Sequence, residues 1–332
     1  MLQGEILVGY PGDKANEQEP RPDQSAMPYV ADLTEIIDAH HHLWDLDQVH
    51  YPWLMEKGVK RFFGDPTPIQ ENYLINDLQR DFGALPVKGS VHVQVGAALN
   101  DSVKETAWLQ TTADSSQSKA LPNAIVAFCD LAAANVDAIL SQHRAYPNVR
   151  GVRQIVGRHS AEDAVTRSGE LLENPIFQGN LRVLGNLELS FDLQLIPPQM
   201  PKAYELIKRA PNTKIALCHA GSPWDQSQSG FKHWANQIAR LATLPNVFCK
   251  LSGFGMFDHQ WNADSVRPLI HHAIDCFGVE RCMFGSNFPV DKLYRGYAEV
   301  FDYYWQAVEG CSHDEVVRLF SGTAKGFYKI AI

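Results

Sequence analysis

Several absences narrow what a chain of 332 residues can be. No run of about eighteen apolar residues occurs, so there is no candidate for a membrane-spanning helix. The first residues show no basic region followed by an apolar one, so no secretory signal is expected. Cysteine is sparse and unpatterned: Cys129, Cys218, Cys249, Cys276, Cys282 and Cys311 form no Cys-x-x-Cys pair and mostly stand inside apolar runs. Buried thiols in a reducing, cytoplasmic compartment are expected, rather than a disulfide framework or a zinc ribbon. Glycine-rich phosphate loops of the G-x-G-x-x-G or G-x-x-x-x-G-K type are missing, and with them any implied nucleotide cofactor. Net charge is −9 and Lys or Arg never cluster beyond two or three residues. That balance argues against a nucleic-acid or anionic-membrane partner.

What is present suits a large α/β domain. With 45% hydrophobic and 10% aromatic residues the chain can bury a sizeable core. Residues 1–34 stand apart: 11–25 are polar, proline-bearing and aperiodic, and read as an extended N-terminal arm. From 35 to 332 short β-like runs alternate with helix-like ones. The candidate strands are 35–40, 88–95, 124–130, 149–155, 189–195, 214–219, 246–251 and 280–286. Stretches such as 71–83, 135–146, 199–210, 231–244, 264–277, 297–309 and 313–329 carry apolar residues at helical spacing. Pro211 and Pro245 stand just past two of these helices, where proline stops a helix. Eight alternations predict a (β/α)8 TIM barrel over a doubly wound sheet.

The stretch Ile36-Ile37-Asp38-Ala39-His40-His41-His42 carries the chemistry. On a strand, His40 and His42 project together while His41 points the other way. A converging imidazole pair suits a divalent metal or a developing negative charge on a carbonyl oxygen. The plain alternative is a strand end with one core histidine and two solvated ones. Barrels do their chemistry at the C-terminal ends of the strands, and polar residues gather there. They are His92 and Gln94, Asp130, Arg153 and Gln154, Asp192 and Gln194, His219, Lys250 and Ser252, and Asn287. Other features are read as structural. His271-His272 lies on a helix away from the strand ends, and Cys218 alternates away from His219, toward the helices.

Five motifs in register with the strands carry a resemblance. They are Asp38-Ala39-His40-x-His42-x-Trp44, Gly151-Val152-Arg153, Cys218-His219-Ala220-Gly221-x-Pro223, Lys250-Leu251-Ser252-Gly253 and Phe284-Gly285-Ser286-Asn287-Phe288-Pro289. Together they resemble the amidohydrolase superfamily, and within it the branch of L-fuconolactonase, L-rhamnonolactonase, 4-sulfomuconolactonase and 2-pyrone-4,6-dicarboxylate lactonase. The resemblance implies a hydrolase opening a sugar-acid or muconolactone-like lactone to a hydroxy acid. It also implies that His40, His42 and His219 polarise the carbonyl or hold a metal.

The resemblance leaves one divalent ion, such as zinc on those three histidines, and metal-free catalysis both open. Arg153 stands where binuclear relatives carry a bridging lysine, so two metals are not expected. Relatives commonly have Asp where this chain has Asn287, and an amide cannot take a proton. Asp291 is the nearest carboxylate, on the order of 13 Å away along an extended chain unless the backbone turns at Pro289. Three readings follow: Asp291 replaces the missing acid, His219 acts as base, or the site only binds. A metal-dependent decarboxylase of the same superfamily is a further alternative. For a small lactone or carboxylated substrate, Arg153 suits a carboxylate, Trp44 and Trp224 suit a ring, and Gln94 and Gln154 suit hydroxyls. Arg158 and His159, in the loop after the fourth strand, are placed where they could also reach the mouth, although exposed loop charges are more often solvated. Barrels of this kind often pair through exposed helices, so a homodimer is one expectation.

Overall fold

The structure, a computed structural model, describes residues 33–332. The arm expected over 1–34 lies outside the described residues, save Leu33 and Thr34. Eight parallel strands run in chain order, β1 (Ile36–His41), β2 (Val87–Val93), β3 (Ala124–Phe128), β4 (Val149–Arg153), β5 (Ser190–Leu193), β6 (Ile215–Leu217), β7 (Val247–Leu251) and β8 (Cys282–Phe284). A helix follows each. Those expected from apolar spacing are present, and Ser102–Asp114 and Pro175–Asn186 complete the set after β2 and β4. This is the (β/α)8 barrel.

The seam between last and first strands is tied by backbone and side chain together. His42 N–H donates to Phe288 O at 2.7 Å, and Asn287 N–H to His40 O at 2.7 Å. Asp38 staples the same seam, accepting from Ser286 N (2.9 Å), Ser286 Oγ (2.6 Å), Tyr297 Oη (2.9 Å) and its own neighbour His40 N (3.1 Å). A buried carboxylate is costly unless hydrogen-bonded, and four donors meet that requirement.

Two apolar layers result. One lies between strands and helices; the other fills the barrel with Ile37, Ala39, Val91, Val93, Val126, Ala216 and Met283. The helix Thr323–Tyr328 joins the inner layer through Phe327, whose ring packs 4.8 Å from Phe248 near the start of β7. Tyr328 reaches further in and donates to Asp192 Oδ2 at 2.8 Å. Asp192 also meets Lys250 Nζ at 2.6 Å, as an ion pair rather than an aligned hydrogen bond, and both are fully buried. The strand-end ring read from the sequence therefore divides: Asp192 and Lys250 neutralise each other inside the barrel.

Candidate active site

β1 carries one residue more than its partner, because Asp38 pairs with Ser90 but His41 with His92. Three steps on one strand against two on the other are a β-bulge, which re-aims side chains. Ile37 and Ala39 face the barrel interior. Past the bulge the His40 ring lies 5.1 Å from His42 and 4.5 Å from His219, centroid to centroid. His41 turns away to Ser90 Oγ at 2.9 Å. All three histidines of the triplet are buried, so none is solvated.

His42 and His219 border a cavity of about 260 Å³, and His40 packs beneath them without lining it. Trp44, Arg153 and Asn287 also line it. Gln94, Gln154 and Trp224 do not. Gln94 Oε1 is taken by Gly96 N–H (2.6 Å), Gln154 is spent on Leu131 N and Asp130 Oδ1 (both 2.9 Å), and Trp224 packs edge-on against His159 at 5.6 Å. Residues that the sequence did not single out include Trp53, Phe62, Phe63 and Met256, and Gln194 of the strand-end ring lines the cavity too. Trp44 is wholly buried, and its Nε1–H donates to Glu71 O at 2.6 Å.

Asp291 is brought back by a turn after β8. Its backbone N–H donates to Asn287 O at 3.2 Å, and Asn287 Nδ2 donates to Asp291 Oδ1 at 3.0 Å. The span along an extended chain is thus replaced by two hydrogen bonds. Asp291 nevertheless sits behind Asn287, not on the cavity wall, so the amide is what a substrate meets. Burial pushes the Asp291 carboxyl up to about 7 against the opposing hydrogen bonds from Asn287 and Gly255.

The imidazoles are held neutral. Burial, then the charge of Lys250, keeps His40 well below its ordinary range; for His219 the causes are burial and then Arg153. His42 is lowered to about 3 by burial and then Arg153. Its Nδ1 lies 2.6 Å from Val93 O. A carbonyl only accepts, so Nδ1 carries the proton and Nε2 keeps a lone pair. His219 Nδ1 is 3.0 Å from Ser252 Oγ, whose hydroxyl can donate and leave an N–H on Nε2.

Whether these residues fit a metal follows from the same geometry. Both ring nitrogens of His40 lack hydrogen bonds, as a ligand's would. Yet among the described residues no three His, Cys, Asp or Glu side chains are placed to hold one ion. The charge of Arg153 acts on the same imidazoles, which opposes adding a dication. The donor set as placed does not fit a metal.

Residues 37–330 match the family model described as Amidohydrolase. The uncharacterised protein y4mH of Sinorhizobium fredii is 37% identical over 296 residues, covering 89% of this chain and 98% of its own. An L-fucono-1,5-lactonase of Burkholderia multivorans is 27% identical, covering 89% and 96%. Among solved structures, an amidohydrolase from Burkholderia multivorans with bound zinc superposes with a TM-score of 0.75 at 26% identity, covering 89% of this chain and 99% of that one.

Proposed function

The chain belongs to the amidohydrolase family, and from that premise we propose that it is a lactonase, hydrolysing the ring ester of a small lactone to a hydroxy acid. One observation carries the reading: His42 and His219 face a single small cavity beside Arg153, all desolvated, with the His42 ring proton assigned by Val93 O. The lactonase names among the relatives support it.

The chemistry divides among the side chains. The lactone carbonyl oxygen sits against His219 Nε2–H and the Arg153 guanidinium. Arg153 is itself held rigid by Nη1 donation to Gln194 Oε1 at 3.1 Å and by Nη2 donation to the carbonyl of Gln94. Donors fixed in place before charge develops stabilise the tetrahedral intermediate without reorganising. Water attacks the carbonyl carbon while His42 Nε2 accepts its proton. A base lowered to about 3 is weak in the free protein. The oxyanion formed beside it raises its proton affinity when the proton moves, because a nearby negative charge favours imidazolium. The imidazolium then returns the proton to the departing ring oxygen. Neither Asp291 nor His219 is needed as the base; Asp291 orients the Asn287 amide, and His40 supports the two rings above it.

The test is a side-by-side assay of neutral and carboxylated lactones, with carboxylated aromatics included to catch release of carbon dioxide. Ring opening slowed by about two orders of magnitude or more in His42→Gln and in His219→Gln supports the reading. Carbon dioxide release without ring opening, or binding of lactones without turnover, overturns it.

A further inference from the structure

Three successive peptide units at the end of β2 support the cavity wall from behind. Val93 O accepts from His42 Nδ1 at 2.6 Å, Gln94 O accepts from Arg153 Nη2, and Val95 O accepts from Trp53 Nε1 at 2.7 Å. Three side chains that line the cavity thus hang on consecutive carbonyls. The N–H end of each unit is engaged as well. Gln94 N–H donates to Val126 O of β3 at 2.8 Å, Val95 N–H to Glu105 Oε1 at 3.2 Å, and Gly96 N–H to Gln94 Oε1 at 2.6 Å. Only the middle unit rests on an ionisable side chain.

Glu105 comes from the helix Ser102–Asp114 and is buried without lining the cavity. Burial pushes its carboxyl up to about 7, opposed by the Val95 N–H, by Tyr51 and by the charge of Arg153. The Tyr51 hydroxyl is buried against the same carboxyl without an aligned hydrogen bond. An acid in that position is costlier than an apolar side chain of similar size, so its contact with Val95 calls for a purpose. Gln94 O and Val95 N belong to one planar peptide group, and an acceptor fixed at the N–H end therefore sets where the carbonyl points. Hydrogen bonds at the two ends also polarise each other. The acceptors of Arg153 are Gln194 Oε1 and Gln94 O, so its link to a carboxylate runs through that one peptide.

We propose that Glu105 is a positioning residue for the hydrolysis, holding the Arg153 guanidinium against the lactone carbonyl through the single peptide unit between Gln94 and Val95. The inference rests on the lactonase reading for the role of Arg153. Its effect falls on kcat more than on KM, because a displaced donor meets the developing oxyanion badly while the ground-state ring still fits among Trp44, Trp53 and Phe63.

The experiment measures kcat and KM for a lactone that the wild-type protein opens. Glu105→Met, which removes the acceptor for Val95 N–H, is expected to lower kcat by about tenfold or more with KM changed by less than about threefold. Glu105→Gln, whose Oε1 still accepts, recovers most of that loss. Glu105→Asp withdraws the carboxyl by one methylene and is expected to behave as Glu105→Met does, which keeps the comparison decisive if the methionine variant fails to fold. In an Arg153→Met background Glu105→Met should add less than about threefold, since the group to be held is gone. A glutamine variant as slow as the methionine one, a change confined to KM, or losses that multiply in the double variant overturns the proposal. If no lactone is opened, the lactonase reading fails by itself. Nitrogen-15 arginine NMR then decides the link: an Arg153 Nε–H resonance, identified by its loss in Arg153→Lys, that shifts or broadens in Glu105→Met and not in Glu105→Gln supports it, and one unchanged in both or altered equally in both overturns it.

Discussion

Asp291 is a carboxyl whose burial outweighs its hydrogen bonds, so it holds a proton that the unfolded chain would release. Its folded pKa of about 7 lies above the ordinary 3.8. The stability this gives is complete below about pH 4 and is lost as pH rises through about 7. Asp291→Asn keeps a neutral side chain at every pH. Urea unfolding of the variant is therefore expected to show a gain relative to wild type between pH 5 and pH 8, no larger than about 4 kcal/mol. Parallel stability changes for both proteins would contradict the burial account. The imidazoles make a sharper forecast for activity. Loss of His219 as a donor by His219→Gln should cost two to three orders of magnitude in kcat, the usual effect of about 3 kcal/mol at an oxyanion site. Histidine spacing announced that His40 and His42 lie together, because alternation along a strand carries direction, whereas His219 joined them only through its strand end and the family resemblance. Asp291 was visible only as a distance. Arg158 was legible only as a loop charge that could reach the mouth, and its place on the cavity wall needed the fold.

At the scale of elements, the site depends on backbone positions that have no room for a side chain. Gly253, just past β7, has φ +68°, and a Cβ there would collide with His219 Nδ1. Gly285, just past β8, would bring a Cβ within 2.7 Å of His40 N and Cβ. Gly253→Ala is expected to lower kcat by at least about tenfold through displacement of the His219 ring, with thermal unfolding as the control for a global effect. A kcat unchanged within twofold would detach His219 from the chemistry. These glycines stood inside recognisable motifs, but their reason lies in neighbours far along the chain. The same limit hid the helices Ser102–Asp114 and Pro175–Asn186. The first buries Glu105, Thr106 and Gln110 along with its leucine, so its inward face shows no clean apolar period; the second contains Gly179 and Gly185. The β1 bulge left no mark either, because an inserted residue looks like any other.

The barrel as a whole is held from its centre as well as its rim. Eight alternations of strand and helix were enough to foresee it, whereas the link between Tyr328, Asp192 and Lys250 needed the closed cylinder. Tyr328→Phe removes the hydroxyl that donates to Asp192 and is expected to cost about 1–3 kcal/mol in denaturant unfolding. Lys250→Met leaves the Asp192 carboxylate buried without its cation, and a loss of about 3–5 kcal/mol is expected. Equal stability of either variant with wild type would show the cluster to be dispensable.

Tyr328 lies 136 residues beyond the aspartate it binds. While the chain is being made, Asp192 and Lys250 leave the ribosome long before that phenol. A nascent barrel must therefore carry this pair without its third member, and translation order alone keeps the floor beneath the histidines unfinished until that phenol has emerged.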